Sequence, residues 1–351
     1  MNIKVIDNLE EFLNIKEEYL ELYNASIEAN VFIGFDWVVN IFENFFSDED
    51  ELKVISVWDK KKLVFILPLC IKRKKISFLE YKYLTHLCFR ASDYCSMLIR
   101  QDVNIKKVFK AVTKAIKEIS QTCDFIKIDN ISSSEPKNSL FYNQLSTKFK
   151  FSTIFTNVEN PRLIVNDENS IEQSQKKDVI RRRNKLKLKS QYEFCANEIQ
   201  SKNAWAKTLE FHKQKFDGVG FNLPDSQRFY KSLNSESLIL STLKLDGEIV
   251  ASHFGFVDMK KQKFYYYIPT YSKDMAREGV GMMLMLEIIE WCSQNNICEF
   301  DMLRGLENYK ISWSSSICEN KTFFSTVDNK VKSKLLYYVF MCAKSYQKYL
   351  K

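Results

Sequence analysis

The stretch KFYYYIPTYSKDMAREGVGMMLMLEIIEWCSQNNICEFDML, residues 263–303, decides the fold. Lys263–Tyr271 is an aromatic-rich run of strand type. Gly281–Gln294 is an apolar helical run, and Cys298–Leu303 reads as a second strand. Between the first strand and the helix stands Arg277-Glu278-Gly279-Val280-Gly281. A helix start offers unpaired backbone N–H groups and the positive end of a dipole, which suits phosphate or pyrophosphate. Glycine there lets a ligand approach the backbone closely. A dinucleotide fingerprint needs three glycines and a βαβ opening, and a P-loop needs G-K-[ST]; neither stands here. Taken alone, two glycines before a helix fit a plain turn equally well.

Working outward, LILSTLKL (238–245) and EIVASHFGFV (248–257) are strands joined by Asp246-Gly247, a strong hairpin signal. The first half repeats the order. LKVISVW (52–58) and LVFILPLCIKR (63–73) flank the polar turn DKKK, and DYCSMLI (93–99) follows as a third strand. NIKKVFKAVTKAIKEIS (104–120) then sets Ile105, Val108, Phe109, Val112, Ile116 and Ile119 on one helical face, before the strand DFIKIDNI (124–131). Hairpin, strand, helix, strand occurs twice, the mark of an internal duplication. The pattern predicts an α/β protein of two halves, each a mixed sheet flanked by helices: 1–160, 161–330, and a terminal amphipathic helix at 331–351. That last helix either packs on the core or touches a membrane surface.

Composition narrows the function classes. The chain has 351 residues, enough for two packed halves, and its 27 Phe, 17 Tyr and 5 Trp exclude a disordered chain. The longest apolar runs, such as LVFILPLCI, reach about nine residues, half of what a bilayer span needs. The N-terminal MNIKVIDNLEEF is acidic without an apolar core, so a cytoplasmic location is expected. Nine scattered cysteines without a C-x-x-C pair read as reduced thiols, and three histidines without H-x-x-x-H argue against a catalytic metal. The net charge of +8 is concentrated: Lys176–Lys189 holds eight basic residues and one acid, a net of +7. A general nucleic-acid binder spreads its basic surface more widely, so nucleic acid is not the expected partner. Of eight glycines, only Gly34 precedes Gly218. A ligand-cradling backbone is therefore expected in the second half.

Asp301 alternates with the apolar Phe300 and Met302. An acid there is either buried and paired, with Arg304 or Lys310, or turned to a cleft to orient or deprotonate an acceptor. Tyr309 is either a proton donor to a leaving group or a packed aromatic. His212 and His253 are each a base near neutral pH or a structural histidine. Arg181, Arg182 and Arg183 cannot all point one way on a helix, so the run is a solvated face with one arginine turned inward. Asp93 and Tyr94 are acceptor-side candidates, or a strand-entry turn.

FDMLRGLENYKISW (300–313) resembles the motif F-D-x-L-x-G-x-x-x-Y-K-x-x-W of the cellulose-biosynthesis-type acetyltransferases, a branch of the GCN5-related N-acetyltransferase (GNAT) superfamily related to FemAB. FDW at 35–37, ILPL at 66–69, SDYCSML at 92–98, RRRNKL at 181–186, FHKQKF at 211–216 and EIVASHFGF at 248–256 are similar to further pieces of that family, in its order. The superfamily's usual Gln or Arg three places before the first glycine is replaced by Ala276. The resemblance implies a tandem acetyltransferase-like fold. It implies acetyl-CoA or another acyl-CoA as co-substrate, bound in the second half through Arg277, Gly279, Val280 and Gly281. It also implies a small-molecule amine acceptor, an amino sugar or nucleotide sugar of surface-polysaccharide or envelope synthesis. Asp301, His212 and Tyr309 are the catalytic candidates; Arg183, Arg304, Lys310, Asp93 and Tyr94 are the acceptor candidates. Arg183 matches the family's arginine best, and a phosphate on the acceptor suits it. Two other readings stand beside this one: a FemAB-like aminoacyl-tRNA-dependent transferase, although no coiled-coil heptads are present, and a non-catalytic scaffold.

Overall fold

A computed structural model describes residues 1–76, 79–166, 173–216, 221, 223–233, 236–327, 335 and 337–339. Gly218, Gly220 and nearly all of the expected terminal helix lie outside the described residues. In chain order the first elements are β1 (Asn2–Ile6), α1 (Leu9–Leu13), α2 (Lys16–Ala25), α3 (Phe35–Phe45), β2 (Glu51–Asp59), β3 (Lys62–Ile76), β4 (Leu79–His86), β5 (Leu98–Ile99), α4 (Ile105–Ser120), β6 (Phe125–Ser132) and α5 (Pro136–Ser146). There follow β7 (Ser152–Ile164), α6 (Gln173–Lys187), β8 (Tyr192–Cys195), α7 (Lys202–Lys215), α8 (Pro224–Ser232), β9 (Leu238–Leu245), β10 (Glu248–Asp258), β11 (Lys263–Tyr271), α9 (Val280–Gln294), β12 (Glu299–Asp301), α10 (Asn308–Ser312) and β13 (Ser316–Thr326). The chain divides into two units, Met1–Val158 with Glu319–Lys351, and Glu159–Cys318. The sequence suggested a second boundary at 330; the chain instead returns to the first unit at Glu319, because β13 pairs with β6 there.

The two units share one strand order. In the first, β1, β2, β3 and β4 pair antiparallel, β4 pairs parallel with β6 across the α4 crossover, and β6 pairs antiparallel with β13. In the second, β8, β9, β10 and β11 pair antiparallel, β11 pairs parallel with β12 across α9, and β12 pairs antiparallel with β7. The third strand of the first unit is β4, not the expected DYCSMLI segment. Of that segment Leu98-Ile99 pairs, with β3; ahead of them the Cys95 amide donates to the Asn130 carbonyl and the buried Ser96 hydroxyl to Glu135, contacts of a loop and not of a ladder. The Asp246-Gly247 hairpin forms as read, with φ of 50° and 84°, the left-handed pair that a two-residue turn requires.

Helix packing follows from side-chain pattern. On α4, Val108, Phe109, Val112 and Ile116 are buried against Ile55, Val57 and Phe65, and the lysines stay outside. On α9, Val280, Met283, Leu284, Met285, Leu286, Ile288, Ile289 and Cys292 are all buried, too many for one stripe. Such a helix needs cover on two sides. The sheet provides one, through Ala251, Phe264 and Tyr266; α6 provides the other, through Val179 and Leu186. Among the described residues no helix is long and apolar enough to cross a membrane, and no group of His, Cys, Asp and Glu is arranged to hold a metal.

Candidate active site in the second unit

The parallel ladder between β11 and β12 consists of Lys263↔Glu299, Phe264↔Phe300 and Tyr265↔Asp301, and there it stops. β11 runs on to Tyr271, while β12 bends away at Leu303 (φ 59°) and Gly305 (φ 110°) into the short helix α10. Two strands that part in this way leave a cleft at the C-terminal end of the sheet, where α/β sheets bind ligands.

The helix start lies at that end. A 3-10 turn, Lys273–Glu278, closes on Gly279, which has φ 78°, and α9 begins at Val280. No side chain caps this helix, so its first-turn amides keep their positive field for a ligand. Gly281 is needed for another reason: a Cβ there would meet the Tyr271 ring at 2.9 Å. Arg182 of α6 covers the turn, its Nη1 3.5 Å from the Arg277 carbonyl and its Nε donating to Asp178 at 2.7 Å. The pocket here measures roughly 380 Å³ and is lined by Gln175, Asp178, Val179, Arg182, Gly279, Met282, Met283, Tyr309 and Trp313. Burial, then the charge of Glu307, pushes the Tyr309 phenol well above its ordinary range. Trp313 is fully buried, and its indole N–H has no hydrogen-bond partner among the described residues.

A larger hollow of roughly 840 Å³ includes Trp205, Leu209 and Tyr230 in its lining. It lies on the other face of the sheet, since Trp205 packs on Phe254 while the neighbouring Ala251 and the stacked His253–Tyr266 pair face α9. Among the described residues its lining includes no uncapped helix start, whereas that of the smaller pocket includes Gly279, so the smaller pocket is the better candidate.

The structure distributes the other sequence candidates as follows. Asp301 is 1 % exposed; it pairs with Arg162 at 3.1 Å and accepts from the Leu303 amide at 2.9 Å. A cation that meets it is thus on β7, far from it in sequence. Lys310 is itself buried, donating to the Arg304 carbonyl at 2.7 Å and pairing with Glu307 at 2.9 Å, so it ties the loop after β12 and is not open to an acceptor. The Arg304 side chain is exposed, as is that of Arg277, while Val280 is buried and offers only its backbone. Arg183 is the inward arginine, 12 % exposed, but its guanidinium is committed to Glu287 (3.2 Å) and Glu290 (2.6 Å) of α9. It is a strut between helices, and Arg182 is the arginine turned to the pocket. His212 packs on Phe216 and Phe221 on the α7 face, away from α9. His253 is fully buried, held down to about 3 by that burial, and stacked on Tyr266. Asp93 and Tyr94 are buried in the interior of the first unit, where Tyr94 meets the edge of Phe32. Arg182 and Trp313 were not read from the sequence as site residues. The only signal for Arg182 was its i+4 spacing from Asp178, which does not say which arginine faces α9.

The Asp301–Arg162 pair gives a stability expectation. Asp301→Asn removes one carboxylate from a buried guanidinium that also pairs with Glu299. Breaking a buried pair on one side costs about 3–5 kcal/mol. Thermal unfolding should fall by roughly 6–20 °C. A melting curve superimposable on the unaltered protein would show that the pair is not structural.

Residues 173–311 match the acetyltransferase (GNAT) domain family. No curated protein matches the sequence. Among solved structures, the chain is similar to FemX, with 11 % identity over 97 % of this chain and 99 % of that one and a TM-score of 0.64. It is also similar to L-PGS from Bacillus licheniformis, with 13 % identity over 94 % and 96 % and a TM-score of 0.55. A tandem GNAT protein from the clavulanic acid biosynthesis pathway gives 8 % identity over 94 % and 100 % and a TM-score of 0.51. At these identities the likeness is one of fold: two GNAT-like units in one chain.

Proposed function

We propose that the second unit transfers an acyl group from acyl-coenzyme A to an amine. The observation that carries this reading is the uncapped Gly279–Gly281 helix start beside the β11–β12 splay, within the segment that matches the acetyltransferase domain. A diphosphate suits the helix start, and a thioester arm suits a cleft between parting strands. The amine nitrogen attacks the thioester carbonyl, the C–S bond of the adduct breaks, and the proton lost by nitrogen ends on sulfur. Tyr309 donates a hydrogen bond to the departing sulfur. Positioning of amine and thioester accounts for much of the rate. Asp301 acts through Arg162 as a positioning residue at the splay. An amino sugar or nucleotide sugar is the acceptor suggested by the resemblance of residues 300–313, and an acyl-coenzyme A donor supports a cytoplasmic setting.

A second donor, aminoacyl-tRNA, is favoured by one observation: Lys177, Arg181 and Lys185 follow one another at i+4 spacing and are exposed. The two donors separate cleanly. Calorimetric titration of the full chain should show saturable coenzyme A binding, with charged tRNA giving at most weak association. Absence of coenzyme A binding, with tRNA affinity falling steeply in salt, would reverse the assignment.

A further inference from the structure

Residues 335 and 337–339 are helical and belong to the first unit. Tyr337 turns to the sheet: its ring lies 5.8 Å from that of Phe324 on β13 and 6.3 Å from that of Phe151. Leu335, Tyr338 and Val339 stand at i, i+3 and i+4, so they share one face. At about 100° per residue, that face lies opposite Tyr337. The three side chains are 57 %, 59 % and 56 % exposed. Adjacent large apolar side chains, each more than half in water, are the mark of a contact surface. The sequence around them is basic. Residues 330–351 hold Lys330, Lys332, Lys334, Lys344, Lys348 and Lys351 and no acid, a second basic segment in addition to 176–189.

We propose that this face docks on the surface of an anionic bilayer, with Leu335, Tyr338 and Val339 entering the headgroup boundary and the flanking lysines meeting lipid phosphates. Basic residues around an apolar and aromatic stripe are the composition of a helix that lies in an interface. Tyrosine suits that depth, since its ring is apolar and its hydroxyl stays wet. The uncharged run 335–343 is nine residues long, under half of the roughly 20 that a span needs, so the contact runs along the bilayer and not across it. Two other occupants fit less well. An RNA would use the lysines and leave the three apolar side chains without a role. A second copy of the chain would cover the apolar stripe but set six lysines against six others, with no acid among them. This contact is independent of which donor the second unit takes.

The test uses the full chain, sedimented with vesicles of phosphatidylcholine alone and with vesicles of phosphatidylglycerol and phosphatidylcholine mixed. The unaltered protein should bind the mixed vesicles, and only weakly those of phosphatidylcholine. Leu335→Ser with Val339→Ser should weaken binding to the mixed vesicles on the order of tenfold to a hundredfold. Both side chains are exposed, so the melting temperature should stay in place. Lys332→Gln with Lys334→Gln should weaken the same binding on the order of twentyfold, and added salt should weaken it too. Tyr338→Ser, a single exposed change, gives the apolar reading should the serine pair lose its fold. An unaltered protein that leaves the mixed vesicles unbound overturns the proposal. So does binding that the serine variants keep in full, because the lysines then act as a plain polycation, as they would on RNA. Self-association that the serine pair abolishes, without vesicle binding, assigns the face to a second copy instead.

Discussion

Gly281→Val is expected to abolish coenzyme A binding while the fold persists. A Cβ at this position meets the Tyr271 ring at 2.9 Å, so something must move. Tyr271 is 38 % exposed at the end of β11, and its ring has room to swing outward. The helix itself tolerates the change, since valine is no worse than glycine in a helix. The branched side chain would then stand where a phosphate has to approach the first-turn amides. Affinity should fall more than a hundredfold, and the melting temperature should move by only a few degrees. Calorimetry and thermal unfolding measure the two terms separately. Tyr271→Ala is the control: if it alone reproduces the loss, the tyrosine ring matters and the helix start does not. Gly279→Ala makes the contrast, because φ 78° strains any side chain and costs about 1–2 kcal/mol through the backbone. Unchanged coenzyme A affinity in Gly281→Val would remove the glycine turn from the site.

The glycine turn was legible because it is local. A strand-type run, two glycines and an apolar run lie within 32 residues of one another in the order that builds a crossover, and the 3-10 turn and α9 follow that order. The hairpins were legible for the same reason. The third strand of the first unit was not. Leu79–His86 alternates Tyr81, Tyr83 and Thr85 with Glu80, Lys82 and Leu84, a weaker apolar signal than DYCSMLI, whose Ser96 is buried and hydrogen-bonded to Glu135.

Side-chain partners were the least legible part of the site. Asp301 was read against cations close in sequence, but a strand meets its neighbours across the sheet, and the register Asp301↔Arg162 joins residues 139 positions apart. Register between distant strands leaves no mark on either strand alone. The arginine run shows the same limit at one-residue resolution. Successive helical residues turn by about 100°, so the rotation of α6 against α9 decides that Arg183 meets Glu287 and Glu290 while Arg182 reaches the pocket. That rotation is set by Val179 and Leu186 packing into the α9 cluster, a tertiary choice.

Tyr309→Phe is expected to lower turnover and leave donor affinity in place. The substitution keeps the ring in the pocket wall and deletes only the hydroxyl. The direction of the Tyr309 shift bears on the role proposed for that hydroxyl. Burial raises the phenol first, and the charge of Glu307 raises it further. A raised phenol stays protonated beyond the ordinary tyrosine value near 10, so the O–H is present throughout the working pH range. An ordinary phenol is already a weaker acid than a thiol, whose ordinary value lies near 8.5, and the shift widens that gap, so full proton transfer to a leaving thiolate runs uphill. Hydrogen-bond donation to the developing negative charge is the role proposed for it, and such a bond strengthens as the C–S bond breaks. Removing one such donor lowers kcat on the order of a hundredfold. Thiol release from acetyl-coenzyme A, with glucosamine as the amine, measures it. Because the phenol does not ionise below its raised value, the unaltered protein should show no loss of kcat from Tyr309 as pH rises from 7 to 9, and Tyr309→Phe should run parallel to it at a lower level. A dissociation constant for coenzyme A that rises with the fall in kcat would place Tyr309 in donor binding. An unchanged kcat would leave it as a packed aromatic, with the sulfur served by solvent or backbone alone.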